Sequence, residues 1–195
     1  MKKLYLATLI IALGLLLIAP SAQANLLDDW SFEDGGAAWT LTGSTKVQSW
    51  GGSDAKTGTN LVSISDPWDV QAGDCSQMVS DISAGLPYIY SLWSWGDVDN
   101  TDYSMNLAWY FDGSEFDSAT QVINMGSTEH EQFSMTGMVP GGADSVLVSF
   151  GTVSSGATCG KFDDVEFDVV PEPTSLLLLG SGLIGLLGFA WRKRK

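Results

Sequence analysis

Hydrolysis by a protein nucleophile needs a serine or cysteine beside a histidine and a carboxylate. This chain has one histidine, His130, set in Glu129-His130-Glu131 with no nucleophile elbow around it. Its 23 acidic residues could supply the carboxylate pair that cleaves a glycosidic bond, but no motif singles out a pair. The sequence carries no glycine-rich phosphate loop, zinc motif or dinucleotide fingerprint. The residue types therefore point away from catalysis and towards binding. Eight tryptophans are the conspicuous resource, because an indole face stacks on a pyranose ring while a few polar groups orient the hydroxyls. Trp93 and Trp95 are the leading stacking candidates. Trp50 and Trp68 lie among Gly, Ser, Asp and Pro, as loop residues at one end of a domain do, whereas Trp39 and Trp109 fit a core. Core packing competes with ligand stacking for all of them.

Strand periodicity is what would turn Trp93 and Trp95 outward. Between residues 25 and 170 apolar residues recur at every second position, and Gly, Ser, Asp and Asn clusters interrupt them about every eight to twelve residues. Tyr88, Tyr90 and Leu92 alternate with Ile89, Ser91 and Trp93; Met105, Leu107 and Trp109 alternate with Asn106 and Ala108; Val146, Val148 and Phe150 alternate less cleanly with Leu147 and Ser149. Each run can bury one face against a second sheet. The outward tryptophans then call for an explanation. Asp112-Gly113, between Trp109-Tyr110-Phe111 and Glu115-Phe116, predicts a tight hairpin. The acidic run Asp97 to Asp102 reads as a solvated turn, since Asp102 stands where a helical calcium loop needs glycine. The whole pattern predicts an all-β domain, a two-sheet antiparallel β-sandwich of the jelly-roll kind with about nine or ten strands.

The two ends have a different character. Lys2-Lys3, the apolar stretch Leu4 to Ile18 and Ala22-Gln23-Ala24 form a cleavable signal helix over 1–24, placing the mature start at Asn25. At the other end Pro171-Glu172-Pro173 precedes an uncharged apolar segment closed by Arg192-Lys193-Arg194-Lys195. Thr174 to Trp191 just reaches the roughly 17–25 residues of a transmembrane helix, and the basic cluster belongs on the cytoplasmic side. The expected division is a signal peptide 1–24, a sandwich ectodomain 25–169 and a tail 170–195.

Pro171-Glu172-Pro173, one short helix and a terminal basic quartet, in that order, resemble the PEP-CTERM sorting tail of Gram-negative bacteria. The resemblance implies recognition by an exosortase-type membrane protease, removal of the helix, and delivery to the cell surface or an exopolysaccharide matrix after transient anchorage in the inner membrane. An ordinary single-pass anchor is the alternative.

Residues 25–170 hold 22 of the 23 acidic residues against Lys46, Lys56 and Lys161, a formal charge of −19. Nucleic acid is not an expected partner, because its phosphates are gripped by Lys and Arg. An acidic exported surface suits solubility, calcium or a neutral polysaccharide. Cys75 and Cys159 are the only cysteines. In an oxidising compartment they are expected to form a disulfide, and a metal pair would lack partners.

A second resemblance covers nearly all of the exported part. Asn25-Leu26-Leu27, Phe32-Glu33 and Trp39, then Gly85-Leu86-Pro87-Tyr88-Ile89-Tyr90-Ser91, then Val139-Pro140-Gly141-Gly142-Ala143-Asp144-Ser145-Val146, and finally Phe162-Asp163-Asp164-Val165 look like the galactose-binding-like jelly rolls, which include carbohydrate-binding modules of families 4, 9 and 22. The resemblance implies a structural calcium held by Glu33 and Asp163 with backbone carbonyls. Strand alternation adds that Asp163 shares the inward face with Val165, Phe167 and Val169, where a carboxylate must be paired or coordinated. A salt bridge or hydrogen bonding, for instance to Lys161, is the alternative. The functional expectation is a non-catalytic surface or matrix protein that binds polysaccharide; an adhesion protein binding other proteins is the alternative, and a glycoside hydrolase the third.

Overall fold

Period-two alternation resolves into ten strands and no helix among the described residues. The computed structural model describes residues 25–49, 55–64, 72–96, 102–124, 129–153 and 159–170. The signal helix, the transmembrane helix, the sorting residues Pro171 to Lys195, the acidic run from Asp97 to Asn100, and Trp50 and Trp68 lie outside them.

The strands are β1 (Thr40–Gly43), β2 (Thr45–Ser49), β3 (Asn60–Ile64), β4 (Gly73–Ser80), β5 (Pro87–Gly96), β6 (Asp102–Phe111), β7 (Ser114–Asn124), β8 (Glu131–Met138), β9 (Ser145–Thr152) and β10 (Gly160–Val169). They form two five-stranded sheets: a front sheet ordered β1-β4-β9-β6-β7 and a back sheet ordered β2-β3-β10-β5-β8. Every pairing is antiparallel. Consecutive strands β1 and β2 lie in different sheets, so the chain must turn a sharp corner between them. Gly43 makes that corner possible: its φ is +58°, and a Cβ there would lie 1.8 Å from the Ala72 carbonyl oxygen. β6 and β7 are joined by Asp112 and Gly113 at φ +48° and +74°, the paired left-handed conformation that matches hairpin twist.

The inner faces meet the expected positions. Tyr90, Leu92, Met105, Leu107, Val146, Val148 and Phe150 are fully buried. Aromatic rings lock the layers together: Phe150 lies 4.9 Å from Phe162 across the sandwich, and Tyr88 lies 5.2 Å from Trp109. Trp39 and Trp109 are both core residues. Exclusion of water from this interface supplies most of the stabilisation, at roughly 25 cal/mol for each Å² of apolar surface.

The expected disulfide is absent. Cys75 is a free, fully buried thiol within the core cluster on β4 of the front sheet, whereas Cys159 lies just before β10 of the back sheet. Both side chains are buried, and their sulfurs are not bridged. Burial, reinforced by the charge of Asp74, pushes the Cys75 thiol far above its ordinary range, which suppresses the reactive thiolate.

Candidate functional site

The outer face of the back sheet gathers several of the predicted residues. β10 pairs with β5 so that Asp163 stands opposite Trp93 and Lys161 opposite Trp95. Directly opposed residues project to the same side of a sheet, so all four belong to the outer face. This corrects the expectation for Asp163. A bulge between Asp163 and Glu166 breaks the alternation, so Val165 and Phe167 point into the core while Asp163 does not share their phase. The left-handed Asp164, φ +47°, sits in that bulge.

Asp163 is nevertheless fully buried, because the segment at residues 56–60 lies across it. Its Oδ2 accepts the backbone N–H groups of Lys56 at 2.7 Å and Thr57 at 3.1 Å, and its Oδ1 accepts that of Asp164 at 2.7 Å. Glu33 grips the far end of the same segment. Its Oε1 accepts the N–H groups of Thr59 and Asn60, both at 2.8 Å, and its Oε2 accepts the Thr59 hydroxyl. Gly58 is required between the two anchors: its φ is +64° and a Cβ would lie 2.3 Å from the Glu33 carboxyl carbon. The Asn60 and Thr59 bonds hold the exposed Glu33 carboxyl below its ordinary value. Burial pushes the Asp163 carboxyl up to about 6 against the opposing pull of its hydrogen bonds.

The two residues assigned to calcium are thus joined through one short segment. Among the described residues no group of three or more His, Cys, Asp or Glu is placed to hold a metal. Calcium at this place would have to draw most of its six to eight oxygens from backbone carbonyls and water.

The same strap covers Trp93. The Lys56 Nζ lies 3.7 Å from the centre of its ring, a cation–π contact. Trp95 is buried to 5 % exposure, with the His130 ring edge-on at 4.1 Å. Both tryptophans point outward, as the alternation requires, but their rings are occupied by neighbours distant in sequence. Trp95 has no open face for a sugar; Trp93 is half-buried.

The outer face of the front sheet was not singled out by residue type. Register lines up one row across all five strands: Thr40 opposite Ser76, Ser76 opposite Ser149, Ser149 opposite Asn106, and Asn106 opposite Thr120. Towards the β1 edge, a groove of about 550 Å³ is lined by Thr40, Ser76, Met78, Ser80 and Leu147, with Leu26 and Asp28 of the N-terminal segment beside them. Gln77 fixes that segment by accepting the Asp28 N–H at 2.8 Å and donating to the Asp28 and Ala38 carbonyls. The groove therefore has a wall tied down by Gln77 and a mixed floor, on which the Thr40, Ser76 and Ser80 hydroxyl residues lie among Met78 and Leu147. Beside it on the same face, Asp74 is a second carboxyl pushed up by burial to about 6.

No curated protein matches the chain. Solved structures do resemble it. TmCBM61 in complex with β-1,4-galactotriose superposes with a TM-score of 0.58 at 18 % identity, covering 75 % of this chain and 99 % of that one. The CBM22-1 xylan-binding domain of Paenibacillus barcinonensis Xyn10C gives 0.58 at 16 % identity, covering 79 % and 99 %. The enzymatically active domain of tailspike protein 4 from bacteriophage CBA120 gives 0.60 at 19 % identity, but this chain spans only 21 % of it. At such identities the likeness establishes the fold, that of the jelly-roll carbohydrate-binding modules. The C-terminal end, beginning at the last residue of β10, is identified by sequence: residues 169–195 are a PEP-CTERM protein-sorting motif.

Proposed function

We propose that this is an exported protein, sorted through its tail by an exosortase-type protease to the cell surface or extracellular matrix, where its sandwich binds polysaccharide without cleaving it. The observation that carries the binding reading is the front-sheet groove, where Thr40, Ser76 and Ser80 lie among Leu26, Met78 and Leu147, walled by the segment that Gln77 pins. The likeness to modules described with galactotriose and xylan supports it. Hydroxyl side chains offer donors and acceptors to sugar hydroxyls at no cost in buried charge. The acidity of residues 25–170 favours a neutral glycan over an anionic one. Trp93 would contribute stacking only after Lys56 leaves its ring. Calcium, if bound, would sit at Glu33 and Asp163 and stiffen the strap rather than touch the glycan. In this reading residues 1–24 are the removed signal peptide, and Thr174 to Trp191 span the inner membrane until the protease acts at the Pro171-Glu172-Pro173 region, with Arg192, Lys193, Arg194 and Lys195 as the cytoplasmic stop. Glycan-array probing of the purified protein tests the binding reading: signal on neutral polysaccharides supports it, and a blank array that includes the producing cell's own exopolysaccharide overturns it.

A further inference from the structure

Sugar recognition usually needs an open aromatic face beside polar groups, and the groove on the front sheet offers little aromatic surface. Among the described residues only three aromatic side chains are exposed: Trp30, Phe111 and Phe116. The two phenylalanines occur together. Phe111 ends β6 at 59 % exposure, and Phe116 lies near the start of β7 at 48 %. With Ser114, Gly141 and Gly142 they line a cavity of about 370 Å³ at one pole of the sandwich.

This cavity is built, not incidental to two loose loops. The wall carrying Phe111 is the tight Asp112-Gly113 hairpin, and the opposite wall is the Pro140–Asp144 turn. Asp144 stitches them together: its Oδ2 accepts the Asp112 N–H at 2.9 Å, and its own N–H donates to the Tyr110 carbonyl at 3.0 Å. The Ser145 hydroxyl donates to Asp144 Oδ1 at 2.7 Å and fixes the carboxylate's orientation. A Cβ built on Gly141 would meet nothing within 4 Å, so the glycine wall leaves the cavity open to solvent.

We infer that Phe111 and Phe116 form a sugar-stacking subsite for the apolar face of a neutral pyranose ring, with Ser114, Gly141 and Gly142 completing its lining. Size fits the occupant: about 370 Å³ is at the small end of ligand cavities and takes one or two rings, not a helix. Charge selects it further. Asp112, Glu115, Asp117 and Asp144 surround the pole, all exposed, so uronic acids, phosphate and anionic lipid headgroups are repelled, while hydroxyl groups can donate to carboxylates. The subsite rests on the glycan-binding reading above and adds a second place of contact to it.

The test is calorimetric titration of the full-length chain in detergent with xylohexaose, cellohexaose and β-1,4-galactotriose, repeated on Phe111→Ala, Phe116→Ala and Gly141→Val. The valine fills the open cavity without burdening the fold, and thermal melting checks that each variant is intact. Loss of about tenfold in affinity for the best-bound sugar in each of the three variants, with unchanged melting, is the expected result. Binding by the parent chain that all three variants retain overturns the subsite and leaves the glycan-binding reading standing. Absence of binding to every sugar by the parent chain overturns both.

Discussion

Asp163 stands directly opposite Trp93 across the β10–β5 ladder, one step before a bulge that returns β10 to its core phase. The strap at residues 56–60 joins the pair by donating two backbone N–H groups to the carboxylate and laying Lys56 over the indole. The two residues that the sequence assigned to separate tasks, metal binding and stacking, therefore answer to one piece of backbone.

Replacing Asp163 with alanine should free the strap. The lost acceptor leaves the Lys56 and Thr57 donors unpaired, and stability should fall by about 1–3 kcal/mol. Trp93 should become more accessible at the same time. Denaturant unfolding reads the first effect, and quenching of tryptophan fluorescence by acrylamide reads the second.

Calcium should act through the same strap. If Glu33 and Asp163 hold the ion in the native state only, melting must rise with added calcium and fall with chelator. The Glu33→Gln variant should lose most of that difference. An identical melting temperature with calcium and with chelator removes calcium from the account.

Stability should decline as the pH rises from about 4 to about 7. Asp74 and Asp163 are raised to about 6 in the folded state, so their contribution is complete below the unfolded carboxyl value and is lost as the pH passes through about 6. Glu33 and Asp144 are lowered; their contribution is present above the unfolded value and is lost as the pH falls through their folded values. Melting should therefore peak in the mildly acidic range, and Asp74→Asn should flatten the decline above it. Melting temperatures taken across this pH range, with and without the substitution, check both statements.

Cys75 should resist chemistry in the folded protein. Its thiol is buried and its ionisation suppressed, so iodoacetamide at mildly alkaline pH should label it only after denaturation. Non-reducing peptide mapping should show no link to Cys159, and reductant should leave the melting temperature unchanged.

The inner faces of the strands and the Asp112-Gly113 hairpin were legible in the sequence because each rests on a local rule: alternation for one, paired left-handed residues for the other. The Asp163 phase was not, since a single bulge at Asp164 cancels the alternation that Val165, Phe167 and Val169 announce. Trp93 and Trp95 could be assigned to the outer face from their own strand, but Lys56 and His130 arrive from other segments and leave no trace near residues 93–95. The cysteine pair rested on compartment alone: an oxidising environment argues for a bridge, and the two thiols stand unbridged in the fold. The row from Thr40 to Thr120 went unseen because serine and threonine are ordinary on any exposed strand, and only register aligns them. The phenylalanine pole was equally hidden, since Phe111 and Phe116 read as strand residues until their exposure is known.

Affinity electrophoresis of the protein through gels cast with xylan, galactan or the producing cell's own exopolysaccharide tests the central claim most directly. The account predicts retardation by at least one of these polymers, reduced when Thr40→Arg and Ser80→Arg crowd the groove while melting stays unchanged. Mobility unaffected by every polymer would contradict it.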